Sequence, residues 1–548
     1  MFSIYYAWSE DKKREVINQF KGLAHCLNYQ CSDLVKGFAS IPLASVPVDV
    51  LPTLMDLLGG IATLHVTHTE IVITQLVKHL VPVAVASSSG AKSMSRASSG
   101  SNLFQMEDNI YNHVHRLLGG IMNCSPLSGN LVIKVADTLF PFHTKSGSIV
   151  KCYVKNLIVM ASYSKYIKAD VIGLIVSRLV TIDTIVSKDL SRVKRRNGEF
   201  VLENIFKRQK VADHDKALKE ERDIDVGSES LKETLDECLL LLIDYISQPF
   251  GITKLNASNQ RVTWIASFKP NTDQDLAALL LPSLLNNVIP HFNLKSVPYL
   301  YFYAAAIHSP TRSTFLTELW KLFDKHQNVS SHNLAHSACF FLSDLISRLR
   351  EFSINTCVKV LKEMASWILS YINKVEDKRD GKISGCGSIQ HATFYVITQC
   401  FLFIFCYRYR ELVEGNRLGQ IQNLNVGKII FCSLNPMKYI NSEVAVAFSV
   451  IAKIVQLEYC VHLVGGRHNS EIQLFEVQYP FNNLELMGCQ KIMLQHTRFF
   501  ELAEEDETTI IDTINKAFNS ATNAKESDDD GIAEDYLFLE ENVESMIF

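Results

Sequence analysis

Proline and glycine are scarce in this chain, 14 and 24 of 548 residues. Both fall below the usual fractions of roughly 5% and 7%. So few chain breakers over such a length favour helices and exclude collagen-like and low-complexity classes. Paired cysteines are missing too. The 13 cysteines are scattered, with no CxxC anywhere, and the nearest pairs are Cys26/Cys31 and Cys400/Cys406. That pattern excludes a disulfide scaffold and suits reduced thiols buried as small apolar groups. The start, Met1 to Trp8, has no basic leader, and Ser9-Glu10-Asp11-Lys12-Lys13-Arg14 follows, so no signal peptide is expected. The longest apolar run, Ala392–Tyr407, is shorter than the roughly 20 residues of a membrane span. It reads as a buried helix, and no membrane contact is expected.

Catalytic motifs are missing as well. There is no GxxxxGK[ST], no GxSxG and no HExxH, and Gly385-Cys386-Gly387 lacks the third glycine of a dinucleotide loop. Asp528-Asp529-Asp530-Gly531 resembles a calcium loop, but Leu537 stands where the bidentate glutamate belongs. His332, His336 and Cys339 fall at i, i+4, i+7 and could face one zinc ion. The same segment carries the apolar stripe Leu334, Ala338, Phe341, so these residues read as helix packing. No enzyme, cofactor or metal is expected.

Helical periodicity is what the chain does have. Val16, Phe20, Leu23 and Leu27 step 4, 3, 4; Leu51, Leu54, Leu58 and Ile61 step 3, 4, 3. Leu231, Leu235, Cys238 and Leu242 repeat the rhythm, as do Leu334, Ala338, Phe341 and Leu345. Cys357, Leu361, Met364, Ile368 and Tyr371 extend it. Each series puts one apolar stripe on one helix face. Pro82, Pro126, Pro141, Pro282, Pro290, Pro298 and Pro436 fall between such segments and read as helix boundaries. Little or no sheet is expected. The economical arrangement is all-α, an α-solenoid of HEAT-like helical hairpins, each burying its stripe on its neighbours.

Three segments interrupt the pattern. Residues 87–101 hold eight serines in fifteen positions and read as a flexible linker. Residues 187–230 are charged and read as a flexible insertion. Residues 501–548 hold 15 acidic and 2 basic residues and read as a largely disordered acidic tail. Helical repeats are then expected over 1–86, 102–186 and 231–500. The net charge of -4 hides a body of +9 and a tail of -13. The tail could screen the body or meet a basic partner. Within the charged insertion, Arg192-Val193-Lys194-Arg195-Arg196 and Lys207-Arg208-Gln209-Lys210 are spaced like a bipartite nuclear import signal, or form an ordinary solvated loop.

Several strings resemble the RNA polymerase I-specific transcription initiation factors of the TIF-IA type. Phe140-Pro141-Phe142-His143-Thr144-Lys145-Ser146, then Cys152-Tyr153-Val154-Lys155-Asn156-Leu157, is similar to one family stretch. Phe315-Leu316-Thr317-Glu318-Leu319-Trp320 resembles another, as does His391-Ala392-Thr393-Phe394-Tyr395 with Gln399 and Arg408. Leu434-Asn435-Pro436-Met437-Lys438 and Tyr479-Pro480-Phe481-Asn482-Asn483-Leu484 continue the order. The resemblance runs from about residue 10 to 500. It implies a non-catalytic HEAT-repeat protein of the nucleus and nucleolus. Such a protein binds RNA polymerase I, bridges it to promoter-bound selectivity or core factor at ribosomal RNA genes, self-associates and is controlled by phosphorylation. Direct DNA contact stays open. A different HEAT or armadillo scaffold, such as a transport receptor, is the alternative.

The resemblance places polymerase docking on a serine-bearing face, and the turn after Phe140 is the candidate part of it. Phe140 and Phe142 are expected to anchor the turn. Thr144, Lys145, Ser146, Ser148 and Lys151 are expected to point outward, because Gly147 and the small polar residues make a poor helix interior.

Overall fold

The structure, a computed structural model, describes residues 9–82, 98–164, 166–196, 226–252, 274–291, 294–325, 332–376, 389–415, 417–463 and 486–498. Among them there is no strand, and one isolated antiparallel bridge joins Leu349 to Thr497. The chain is all-α and resolves into two compact units, one of residues 1–182 and 226–283, the other of 183–225 and 284–548.

The first unit contains α1 (Glu10–Gly22), α2 (Ser32–Ala39), α3 (Leu51–Leu64), α4 (Val66–His79), α5 (Ser98–Cys124), α6 (Ser128–Thr138) and α7 (Gly147–Tyr163). Then come α8 (Lys168–Arg196), α9 (Val226–Ser247) and α10 (Leu276–Ser283). The unit ends within α8, after Ile182. Helices two apart in the chain pack together: α1 on α3, α3 on α5, α5 on α7 and α7 on α9 form one layer. α2 on α4 and α4 on α6 form the other. This alternation is how stacked hairpins bury an apolar stripe on both sides. α3 shows why: Leu51, Leu54, Leu57, Leu58 and Ile61 are all buried. Each contributes roughly 1.5–3 kcal/mol relative to exposure.

The stripe Val16, Phe20, Leu23, Leu27 does not stay on one helix. α1 stops at Gly22, and a 3-10 turn follows over Ala24–Cys26. Ile17 is the buried residue of α1, Leu23 is half exposed, and Leu27 buries on the far side of the turn. Carbonyls in and just after this turn also accept from the next hairpin. His65 Nε2 donates to Ala24 O at 3.0 Å, and His68 Nε2 to Asn28 O at 2.9 Å. Pro282 also departs from expectation. It sits inside α10, and the helix widens into a π turn over Leu284–Val288 directly after it. The wider turn absorbs the missing amide and the ring. Pro298 and Pro436 take first-turn helix positions, where a missing N–H costs nothing.

The second unit holds α11 (Pro298–Ile307), α12 (Ser309–Lys325), α13 (His332–Arg348), α14 (Ile354–Glu376) and α15 (Ala392–Glu414). Short helices follow: α16 (Leu418–Gln422), α17 (Val426–Ile430), α18 (Pro436–Tyr439), α19 (Ser442–Ile454) and α20 (Met487–Met493). α15 is long and apolar enough to cross a membrane by length and composition, yet it is buried within the unit. α13, α14 and α19 pack around it. An aromatic chain crosses the neighbouring layer, with Trp367 stacked on Tyr371 and Tyr371 on Phe394.

A buried imidazole ties the first unit's core to pH. His115 is buried, with Nδ1 3.1 Å from the Tyr163 hydroxyl and Nε2 3.2 Å from Asn156 Oδ1. Asn156 Nδ2 donates to Leu80 O at 2.9 Å, which turns its Oδ1 toward the imidazole. His115 Nε2 is then the donor and Nδ1 the acceptor, so the ring is neutral. Burial lowers His115 to about 4, and it does the same to His79 and His336. An unfolded histidine protonates near 6.5. Stability is therefore lost as pH falls from about 6.5 toward 4. At pH 5 the expected loss from His115 alone is on the order of 2 kcal/mol. Denaturant midpoints at pH 7 and pH 5 should differ accordingly, and His115→Gln should shrink that difference. An unchanged difference would show that His115 titrates in the fold as it does in the unfolded chain, without a burial effect.

Candidate functional site

The turn between α6 and α7 is built from its aromatic end. Phe140 is buried and meets Tyr153 edge-on, ring centres 5.3 Å apart. The Arg178 guanidinium lies over the same Phe140 ring, 5.7 Å from its centre, and Tyr153 donates its hydroxyl proton to Ala136 O at 2.9 Å. Phe140 is thus the anchor the sequence suggests. Phe142 is not: it is 74% exposed. The chain reverses at this point, Lys145 N donating to Phe142 O at 2.9 Å, and that reversal carries the second ring away from the core.

Thr144, Lys145, Ser146 and Ser148 are exposed. Gly147 opens α7, and Ser146 is its N-cap with an extended backbone. The Ser146 hydroxyl lies 3.0 Å from that of Ser148. The glycine has a packing reason. A Cβ there would collide with Thr234 Oγ1 of α9, and that hydroxyl is held 2.8 Å from Ser230 O. Lys151 does not simply point outward. It is about a quarter exposed and paired with Glu237 of α9, 86 residues away in the chain. Beside it, burial and the Lys151 charge lower Lys155, while burial raises Asp108. The turn therefore presents three hydroxyls, one free-standing lysine and an exposed phenyl ring, on a base fixed by the α7–α9 packing.

Other sequence candidates fall elsewhere. Arg192, Lys194, Arg195 and Arg196 lie on the last turns of α8, and Lys207, Arg208 and Lys210 lie outside the described residues. So do Gly385-Cys386-Gly387, Asp528–Gly531 and residues 499–548. α5 begins at Ser98, within the serine-rich segment, and α8 runs on to Arg196, within the charged one. His336 Nε2 lies 3.1 Å from Thr393 Oγ1, and its ring centre is 5.0 Å from that of His332. The Cys339 thiol is buried, which together with the adjacent Cys400 raises it. Among the described residues no three His, Cys, Asp or Glu side chains converge as metal ligands.

The strings that carry the family resemblance are joints of the fold. Tyr395 donates its hydroxyl proton to Leu434 O at 2.9 Å, and Asn441 N donates to Gln399 Oε1 at 2.8 Å. His391 Nδ1 lies 2.9 Å from the Tyr371 hydroxyl. Arg408, fully buried, donates to Ile346 O at 2.8 Å and Phe352 O at 2.9 Å.

Stacked α-helical hairpins, with polar side chains tying one helix's carbonyls to the next hairpin, define the class of helical-repeat proteins. The profile of a known family, described as RNA polymerase I specific transcription initiation factor RRN3, matches residues 5–518. The chain belongs to that family. It is 24% identical over 538 residues to the RNA polymerase I-specific transcription initiation factor tif-1A of Caenorhabditis elegans, covering 94% of this chain and 80% of that one. To the mouse factor RRN3 (Mus musculus) it is 21% identical over 465 residues, covering 82% and 67%. Its fold resembles the crystal structure of RNA polymerase I transcription initiation factor Rrn3, with a TM-score of 0.63, 15% identity and coverage of 88% and 89%.

Proposed function

We propose that this chain binds RNA polymerase I and bridges it to promoter-bound selectivity factors, starting ribosomal RNA gene transcription in the nucleus and nucleolus without catalysis of its own. The family match over residues 5–518 carries the reading. Self-association belongs to the same proposal, and so does nuclear entry through Arg192, Lys194, Arg195, Arg196, Lys207, Arg208 and Lys210.

The turn from Thr144 to Lys151 is the proposed part of the polymerase-docking face. Its exposed hydroxyls and lysine support that reading, as does Phe142, which has no core to fill. A phosphate on Ser146 would add about -1.5 to -2 charges. At the N-cap of α7 such a charge suits the helix dipole, and Asp is among the preferred N-cap residues. The expected result is therefore a clean separation. Ser146→Asp with Ser148→Asp should melt within about 0.5 kcal/mol of the wild type. Retrieval of polymerase I subunits from nuclear extract should fall several-fold. Wild-type retrieval by the folded variant would remove this turn from the docking face. Failure of the wild type itself to retrieve the polymerase would reject the wider reading.

A further inference from the structure

The last described residues, Leu494–Arg498, are fastened to the turn between α13 and α14. Arg350 N donates to His496 O at 2.9 Å, Arg498 N to Arg348 O at 2.6 Å, and Arg350 Nε to Thr497 O at 2.9 Å. His496 Nδ1 pairs with Glu351 at 2.6 Å, and Arg498 pairs with Glu411. The point where the acidic tail leaves the second unit is therefore fixed beside the first turn of α14. Three arginines, Arg350, Arg408 and Arg498, gather at that point beside Glu351 and Glu411. Burial and the neighbouring Arg408 and Arg350 charges push Arg498 down to about 10.

α14 turns a basic face to solvent. Lys359, Lys362 and Lys374 are exposed within one third of the helix circumference. Lys428 of α17 joins them at the side, donating to Asn373 Oδ1 at 2.7 Å. Lys362 donates to Gln420 Oε1 at 3.4 Å. Both bonds are to neutral amides, and among the described residues no ion pair links any of the four lysines to a carboxylate. Glu363 on this face and Glu376 at its edge offset part of the charge.

We infer that the acidic tail of this same chain, beginning with Glu501 to Asp512, docks along the lysine face of α14. Charge and reach both point to it. Residues 501–512 hold six acidic residues and no basic one. The 23 residues of α14 span about 35 Å at 1.5 Å each. Residues 499–512, drawn out, reach about 45 Å. The tail starts at the head of that face and is long enough to follow it. Tethering raises its effective concentration there to the order of mM. A tail seated on these lysines withholds them from any other polyanion, and its release exposes them. The inference is independent of polymerase docking.

Carbodiimide cross-linking of the full chain tests it, since the reagent joins only a lysine and a carboxylate already in contact. An equal mixture of isotopically light and heavy protein is used. The expected products join Lys359, Lys362, Lys374 or Lys428 to acids of 501–512, within one isotope, with yields falling about tenfold in 1 M salt, where the Debye length is about 3 Å. Links of mixed isotope would assign the face to a second copy and overturn the proposal. Tail links spread evenly over all exposed lysines, or no tail links, would overturn it too. As a second arm, Lys359→Glu, Lys362→Glu and Lys374→Glu together should speed the first cut by a Glu-specific protease at Glu504–Glu507 at least fivefold. An unchanged rate would overturn the proposal.

Discussion

Replacing Arg408 with methionine should destabilise the second unit by about 3–5 kcal/mol, the range for removing one partner of a buried, charge-assisted cluster. Arg408 is fully buried in the middle of α15. It satisfies Ile346 O near the end of α13 and Phe352 O in the turn before α14, and it pairs with Glu411 one turn on. Methionine fills much of the volume but leaves two buried carbonyls without a donor. Among the described residues, Glu411 would keep Arg498 alone as a charged partner. Since Arg498 lies in the segment that clips the α13–α14 turn, the loss should spread there. Hydrogen exchange of residues 346–352 and 494–498 should rise before the rest of the unit. Arg408→Lys should recover little, because one ammonium cannot span two carbonyls and a carboxylate in the geometry a guanidinium fork meets. A denaturant midpoint shift worth less than about 1 kcal/mol for the methionine variant would show that water or a neighbour replaces the arginine.

Arg408 also shows what the sequence could and could not convey. Arg408 directly follows the apolar run Ala392–Tyr407, and with His391, Tyr395 and Gln399 it belongs to one of the strings that resemble the family. Its partners lie 56 and 62 residues away, and nothing local to the helix names them. The same holds at the docking turn. Phe140 was legible as an anchor, because an aromatic at a helix end needs a pocket. Phe142 departs from the expected anchor because the chain reversal at Lys145 is set by the turn geometry, and both rings look alike in a string. Lys151 was expected to reach solvent, yet Glu237 draws it inward from another helix of the same layer. The helical class itself was legible, since it rests on the apolar rhythm and on the few breakers. Exact helix ends were not: the rhythm from Val16 to Leu27 runs straight across the break at Gly22, because Leu27 finds burial after the turn.

The other large effect is expected at Asp183, which begins the second unit within α8. Its carboxylate Oδ2 accepts three consecutive backbone amides ahead of α11, from Lys295 at 3.1 Å, Ser296 at 2.9 Å and Val297 at 3.0 Å. The side chain caps from 112 residues away a helix start that has no side-chain cap of its own. Asp183→Ala should cost about 3 kcal/mol or more, because the buried Ser296 and Val297 amides lose this acceptor at roughly 1–3 kcal/mol each. Asp183→Asn should keep an acceptor oxygen and cost much less. The two variants should also part in their pH dependence. Burial raises the Asp183 carboxyl above its ordinary value, against the three amides and the Lys295 charge that lower it. A carboxyl raised in the folded state gives stability that is full below about 3.9, the unfolded value, and lost as pH climbs through the folded one. Asparagine has no such charge to bury. The gap between wild type and Asp183→Asn should thus narrow, or reverse, as pH rises from 4 toward neutrality, while Asp183→Ala stays the least stable throughout. A pH-independent gap would mean that the amides hold the carboxylate at its ordinary value, and that Asp183 caps α11 without electrostatic cost.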